Sequence, residues 1–154
     1  MANKVNIQNK KAFFDYEILE RFTAGISLKG TEIKSIRNGH ASIKESYCDF
    51  DDKGELYVIN MYIKEFEAGG FFNHLPRAKR KLLLTKKELR KLRRKVKDAG
   101  MTIIPLRLYI NENGWAKLDI ALCRGKKKYD KRQAIKSKEE KRNLDRMRKH
   151  FIKK

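Results

Sequence analysis

Cysteine is scarce in this chain, long hydrophobic runs are missing, and acids are outnumbered two to one by bases. Cys48 and Cys123 are its two cysteines. They lie far apart, in no C-x-x-C pair, which argues against a disulfide framework or a zinc ribbon. Both read as reduced, half-buried small hydrophobes of an unsecreted protein. The longest purely apolar runs, such as Leu82-Leu83-Leu84, are far too short to span a bilayer. No apolar stretch follows the N-terminal lysines, so no signal peptide is expected, and the expected location is the cytoplasm without a membrane partner. His40, His74 and His150 are scattered, and none has metal-ligand spacing with a cysteine. Asp49, Asp51 and Asp52 could hold a divalent ion, but they straddle a hairpin turn, where aspartate also serves local backbone bonding. There is no P-loop, nucleophile elbow or dinucleotide fingerprint. No catalytic residue, cofactor or metal site is expected, and an enzyme is the unsupported reading.

What the chain has in excess is positive charge. Its 154 residues carry 39 Lys and Arg against 19 Asp and Glu, a formal charge of +20. Solubility needs only a few units, so the surplus suits a phosphate polymer or an anionic membrane surface, and the lack of apolar runs disfavours the membrane. The charge is uneven. From Lys126 to Lys154 fourteen bases face four acids, which puts half of the net charge in a fifth of the length. Two further basic regions are Lys10-Lys11 and the stretch from Lys86 to Lys97. The organisation expected is a flexible arm over 1–11, a compact body over 12–124 and a basic tail over 125–154. With 40% hydrophobic and 10% aromatic residues, the body can bury a single core.

Along the body the pattern turns to strand from Ala12, with Gly25 as a bulge or corner. Thr31 and Gly39 bracket a two-turn helix that faces Ile33 and Ile36 inward and leaves Glu32, Lys34 and Arg37 outside. Strands near 46–50 and 55–63 flank the turn Asp51-Asp52-Lys53-Gly54, and the second is apolar on both faces, hence central. Leu82 to Leu84 lead into a helix with a Thr85/Glu88 capping box, stopped by Gly100. A hairpin follows, with Thr102, Ile104, Leu106, Leu108 and Ile110 alternating on one strand and Ala116, Leu118, Ile120 and Leu122 on the other. Asn113-Gly114 is its two-residue turn, and Pro105 marks an edge or a bulge. The class is mainly β with small helices (α+β), and the short antiparallel links suit a small closed or partly closed barrel.

Three features bear on binding. An exposed Glu32 could accept from base amino groups that lysines cannot read, although an acid in a helix first turn also complements the dipole. The basic helix is as readily a solvated face as an RNA contact. In the tail, Tyr129 offers a stacking ring among lysines, worth about 1–3 kcal/mol per base. Leu144, Met147 and Phe151 would line one stripe of a helix that folds on a partner.

Read together, Asn9-Lys10-Lys11-Ala12, Gly30-Thr31-Glu32-Ile33-Lys34-Ser35-Ile36-Arg37, Ile59-Asn60-Met61, Arg80-Lys81-Leu82-Leu83-Leu84 and Gly125-Lys126-Lys127-Lys128-Tyr129-Asp130-Lys131-Arg132 resemble the SmpB (SsrA-binding protein) family of bacteria. The resemblance covers residues 9 to 154. It departs locally at Tyr62 and Thr85, where the family is expected to have histidine, and in Leu75-Pro76-Arg77-Ala78-Lys79, which puts the basic contacts of that loop in doubt. It implies an OB-like closed antiparallel barrel with a C-terminal tail that is disordered when free. It also implies binding to the tRNA-like domain of transfer-messenger RNA (tmRNA), support for its charging by alanyl-tRNA synthetase, and delivery with elongation factor Tu to stalled ribosomes. On that basis Asn9, Lys10, Lys11, Thr31, Glu32, Lys34 and Arg37 form the tmRNA surface of a monomer, and Glu32 becomes a contact residue. Lys126, Lys127, Tyr129, Asp130, Lys131 and Arg132 meet small-subunit ribosomal RNA at the decoding centre and the empty messenger channel. The competing class is a general basic ribosomal or assembly protein, without preference for a tRNA-like fold.

Overall fold

Antiparallel strand pairing organises residues 5–125, the part of the chain that the computed structural model describes. In order these residues form β1 (Asn6–Gln8), α1 (Lys10–Asp15), β2 (Tyr16–Ile26), α2 (Gly30–Arg37), β3 (Ala41–Ser42), β4 (Tyr47–Phe50), β5 (Leu56–Ile59) and β6 (Tyr62–Ile63). A 3-10 stretch, Glu67–Phe72, then leads to β7 (Arg80–Leu83), α3 (Lys86–Val96), β8 (Met101–Ile110) and β9 (Ala116–Gly125). The main sheet runs β1-β8-β4-β5-β7-β2-β9, and β9 pairs with β8 as well as β2. The ladder of pairings therefore returns on itself, with β5 in an interior position as expected. β3 and β6 form a separate pair. The features expected of the tail, from Lys126 onward, lie outside the described residues.

The bulk of the core is packed against these strands, where Leu56, Val58, Ile103, Leu108, Leu118 and Ile120 are fully buried. A smaller cluster sits on the opposite face of β8 and β9, where Ala12 of α1 covers Ile104, Leu106, Ala121 and Cys123. β8 serves both because its register shifts between Pro105 and Arg107. The proline cannot donate to the ladder, and the shift turns Leu106 toward α1 and Leu108 toward the main core. The single alternating face expected for this strand is thus split, while the bulge expected near Pro105 is present.

Several boundaries differ from the sequence reading. Residues 6–11 are not a loose arm, because β1 pairs with β8 and α1 begins at Lys10. β2 starts at Tyr16, and 12–15 are helical because Ala12 must cover the outer cluster. Gly25 stays in register with both neighbours. A Cβ there would meet Leu83 Cβ at 3.4 Å, an ordinary contact, so neither a bulge nor lack of room singles this position out. The only shift recorded in the β2–β9 ladder falls at Ile18/Glu20. The 55–63 strand breaks at Asn60, whose φ is +65°, and β6 leaves to join β3. Arg80–Leu83 is a strand because Arg80 and Leu82 alternate inward against Lys81 and Leu83. The β8–β9 turn has five residues, since Asn111 Oδ1 accepts from the Asn113 and Trp115 amides at 3.0 and 2.9 Å. Cys48 and Cys123 are fully rather than half buried, and burial pushes the Cys123 thiol up to about 12. Asp51 Oδ1 accepts from the Lys53 and Glu55 amides at 3.0 and 2.9 Å, the local turn bonding foreseen for it.

The Thr85/Glu88 capping box is formed at the start of α3, with both reciprocal bonds at 3.1 Å. The helix seats Leu92, fully buried, in the main core. It also ties Lys91 and Lys95 to Glu20 on β2, so part of its cationic surface is neutralised within the molecule. Two outcomes follow from this docking. Leu92→Ala should cost about 2–5 kcal/mol in urea unfolding, and a loss below 1 kcal/mol would mean that α3 is only loosely seated. Hydrogen bonds from Lys91 and then Lys95 hold the Glu20 carboxyl below its usual range. A depressed carboxyl stabilises above its unfolded pKa and loses that contribution as pH falls through its folded one. Glu20→Gln should therefore cost under about 1 kcal/mol at pH 7, with the deficit shrinking on acidification; a deficit that grows in acid contradicts the assignment.

Candidate nucleic-acid interface

α2 is a short helix whose two faces do different work. Ile36 is fully buried in the main core and Ile33 packs against it, a face that contributes about 1.5–3 kcal/mol per buried side chain. The polar residues of its first turn do not all face outward. Glu32 is only 3% exposed. One of its oxygens accepts from the Lys29 amide at 2.8 Å, closing the helix start, and the other accepts from Arg80 Nε. The expectation of an exposed Glu32 is corrected: β7 turns Arg80 inward beneath it, and an inward guanidinium requires an anion.

Arg80 acts as a clamp. Besides Glu32, it donates to the carbonyls of Met61 at 2.7 Å, Leu75 at 3.2 Å and Pro76 at 3.1 Å. A second tie runs parallel to it. His74, also 3% exposed, lies 3.0 Å from the Ile63 carbonyl through Nε2 and 2.8 Å from Thr31 Oγ1 through Nδ1. A carbonyl can only accept, so Nε2 carries hydrogen, and in the neutral ring Thr31 donates to Nδ1. Thr31 is thus half-buried and engaged with His74. Together the two ties hold segment 74–80 against the first turn of α2.

What the clamp leaves outside is basic. Lys34 and Arg37 are exposed on α2, with Lys34 Nζ 5.4 Å from the Phe66 ring centre. In the loop, Arg77 lies over Tyr62 at 5.3 Å and donates to Asn60 Oδ1 at 3.1 Å. Lys79 lies over Tyr57 at 4.8 Å. Cations held over aromatic rings give a surface with both phosphate-seeking charge and stacking planes. Arg77 and Lys79 are thus the outward bases of this loop, held over Tyr62 and Tyr57.

Asn9, Lys10 and Lys11 do not join this surface. Asn9 is 3% exposed, and its Nδ2 donates to the Pro105 carbonyl at 3.0 Å and to that of Ile43 at 3.4 Å. Its side chain is spent on the fold and is not presented outward, unlike the exposed contact that the motif suggests. Lys10 and Lys11 are exposed. Lys11 lines a separate cavity of about 340 Å³ with Tyr16, Lys44 and Tyr47, to which α2 contributes nothing. Lys126, Lys127, Tyr129, Asp130, Lys131 and Arg132 lie outside the described residues. Among the described residues no group of His, Cys, Asp and Glu is placed to hold a metal ion, and no helix is long and apolar enough to cross a membrane.

Sequence reasoning missed Arg80 and His74. The signal for Arg80 was present, because a two-residue period through Arg80-Lys81-Leu82-Leu83 puts Arg80 on the side of Leu82. No local pattern marks His74. If the clamp is as described, Glu32→Gln and Arg80→Met should each cost about 3–5 kcal/mol in urea unfolding, with the double variant losing less than the sum. Single losses below 1 kcal/mol would contradict a buried, paired geometry.

Comparison with known proteins places this arrangement in a family. A family model described as SmpB protein matches residues 6–150. A relative named SsrA-binding protein from Christiangramia forsetii is 56% identical over 151 residues, covering 98% of this chain and 96% of its own length. Another of that name from Flavobacterium psychrophilum is 57% identical over 151 residues, covering 98% and 100%. A solved structure described as "tmRNA-SmpB: a journey to the center of the bacterial ribosome" contains a chain that is similar with a TM-score of 0.68 and 48% identity, covering 85% of this chain and 94% of that one.

Proposed function

The chain belongs to the SmpB family, and on that premise we propose that it binds the tRNA-like domain of tmRNA and works with it in trans-translation on ribosomes. The observation that carries the RNA contact is the buried Glu32–Arg80 clamp, which fixes α2 against the 74–80 loop and leaves Lys34, Arg37, Arg77 and Lys79 facing outward. Phosphate contacts from such residues position an RNA, and the fixed shape of the surface selects among RNAs. In this reading Glu32 and Thr31 act by positioning, through Arg80 and His74, and Lys34 and Arg37 touch the RNA. Lys10 and Lys11 meet RNA at a second place, beside Tyr47.

The finer parts of the reading follow. The returning ladder of strands is an OB-like closed barrel spanning 12–124. The bound tmRNA is charged by alanyl-tRNA synthetase and delivered by elongation factor Tu to stalled ribosomes. Segment 125–154 is the ribosome-facing part, with Tyr129 stacking on a decoding-centre base and Lys126, Lys127, Asp130, Lys131 and Arg132 against small-subunit ribosomal RNA. Fully helical, the 29 residues after Gly125 would reach about 40 Å along the messenger channel. The protein acts in the cytoplasm by binding and delivery, with no chemistry of its own.

A gel-shift competition at physiological salt tests this. Labelled tRNA-like domain is challenged with ordinary tRNA and with unrelated RNA, using the full chain and a 1–125 truncation. Selective binding kept by the truncation, with ribosome rescue lost, is the expected result. Equal binding to every RNA, lost with the tail, would make this a general basic RNA-binding protein.

A further inference from the structure

The β8–β9 turn carries the chain's single tryptophan, and Trp115 is 69% exposed. An indole is a costly group to leave in water, and its backbone is held in place. The Trp115 amide donates to Asn111 Oδ1 at 2.9 Å, and its carbonyl accepts from the Asn111 amide at 2.9 Å. Gly114, with φ at +84°, supplies the left-handed step before it. The ring is presented by a braced turn at the end of a long hairpin.

Trp115 lines a groove of about 380 Å³ together with Ile26, Leu28, Ile33, Leu83 and Arg37 of α2. Leu83 is itself 52% exposed. The groove is therefore lined mostly by apolar groups, with one cation, Arg37, contributed by α2. Two kinds of occupant suit an apolar groove, an apolar peptide segment and a planar base. Arg37 and the chain's charge of +20 favour a group attached to phosphate over a neutral or basic peptide.

We propose that this groove takes an unpaired nucleobase of the bound RNA, stacked on Trp115, with Arg37 meeting the adjoining phosphate. The inference rests on the RNA-binding reading and extends its surface from α2 to the hairpin tip. Every base has a π face, so the contact adds affinity for unpaired loop nucleotides with little preference among bases. Its requirement is an aromatic plane, which phenylalanine also supplies.

The lone tryptophan makes the test direct. Full-length protein is titrated with the tRNA-like domain of tmRNA while indole emission and acrylamide quenching are followed, with gel shifts on the same samples. Acrylamide access to Trp115 should fall on binding, and pairing the RNA's loop nucleotides with complementary oligonucleotides should restore it. Trp115→Ala should weaken binding about 5- to 100-fold, and Trp115→Phe should stay within about threefold, with thermal melts unchanged in both. RNA binding by gel shift without protection of Trp115, protection that survives pairing of the loops, or wild-type affinity in Trp115→Ala would each overturn the inference and leave the RNA-binding reading standing. Absence of selective binding in the gel shift would remove that reading instead.

Discussion

The geometry of the basic surface formed by α2 and the 74–80 loop depends on one buried ion pair. Glu32 and Arg80 are 48 residues apart in sequence, and each is nearly sealed from water. Taking two charges out of water costs several kcal/mol per ion, recovered only when every donor and lone pair is used. Here the carboxylate also receives the Lys29 amide, and the guanidinium also bonds three backbone carbonyls. The pair therefore fixes a helix terminus and a loop at one point. A hydrophobic pair could fill the same volume, but it could not bond Met61, Leu75 and Pro76 and so define where the loop runs. The cost of burying the pair secures position.

Under the proposed function, this division of labour would let so basic a protein select among RNAs. Charge alone attracts any RNA and is screened by salt. Selectivity needs basic groups at fixed separations, hence a rigid support. Lys34 and Arg37 stand on a helix whose other face is core, and Arg77 and Lys79 stand on a loop pinned by Arg80 and His74. The basic helix α3 shows the opposite case, since two of its lysines are paired with Glu20 on β2.

Features that depend on neighbouring residues were legible in the sequence. The extent of α2, the capping box of α3, the alternation along β9 and the irregularity at Pro105 are of this kind. Those set by distant partners were not. Glu32 reads as an exposed acid because nothing nearby shows that Arg80 lies beneath it. Asn9 reads as part of a basic RNA-contact block because the Pro105 and Ile43 carbonyls it serves are far along the chain. Residues 12–15 carry strand-favouring Phe13 and Phe14, yet they are helical because the outer face of β8 and β9 needs Ala12 over it. The family motifs drew attention to α2, but they could not show that Glu32 and Thr31 are engaged with Arg80 and His74 while Lys34 and Arg37 face outward.

That separation can be measured through the salt dependence of RNA affinity. For the 1–125 chain and the tRNA-like domain, Lys34→Ala and Arg37→Ala should each lower the slope of log affinity against log salt by about 1, as expected on loss of one phosphate contact. Glu32→Gln should weaken binding with the slope unchanged, because it disturbs the support and removes no phosphate contact. Unaltered slopes in both lysine and arginine variants, or tighter binding in Glu32→Gln, would contradict the account, since the first would take α2 off the RNA and the second would make Glu32 an exposed repelling acid.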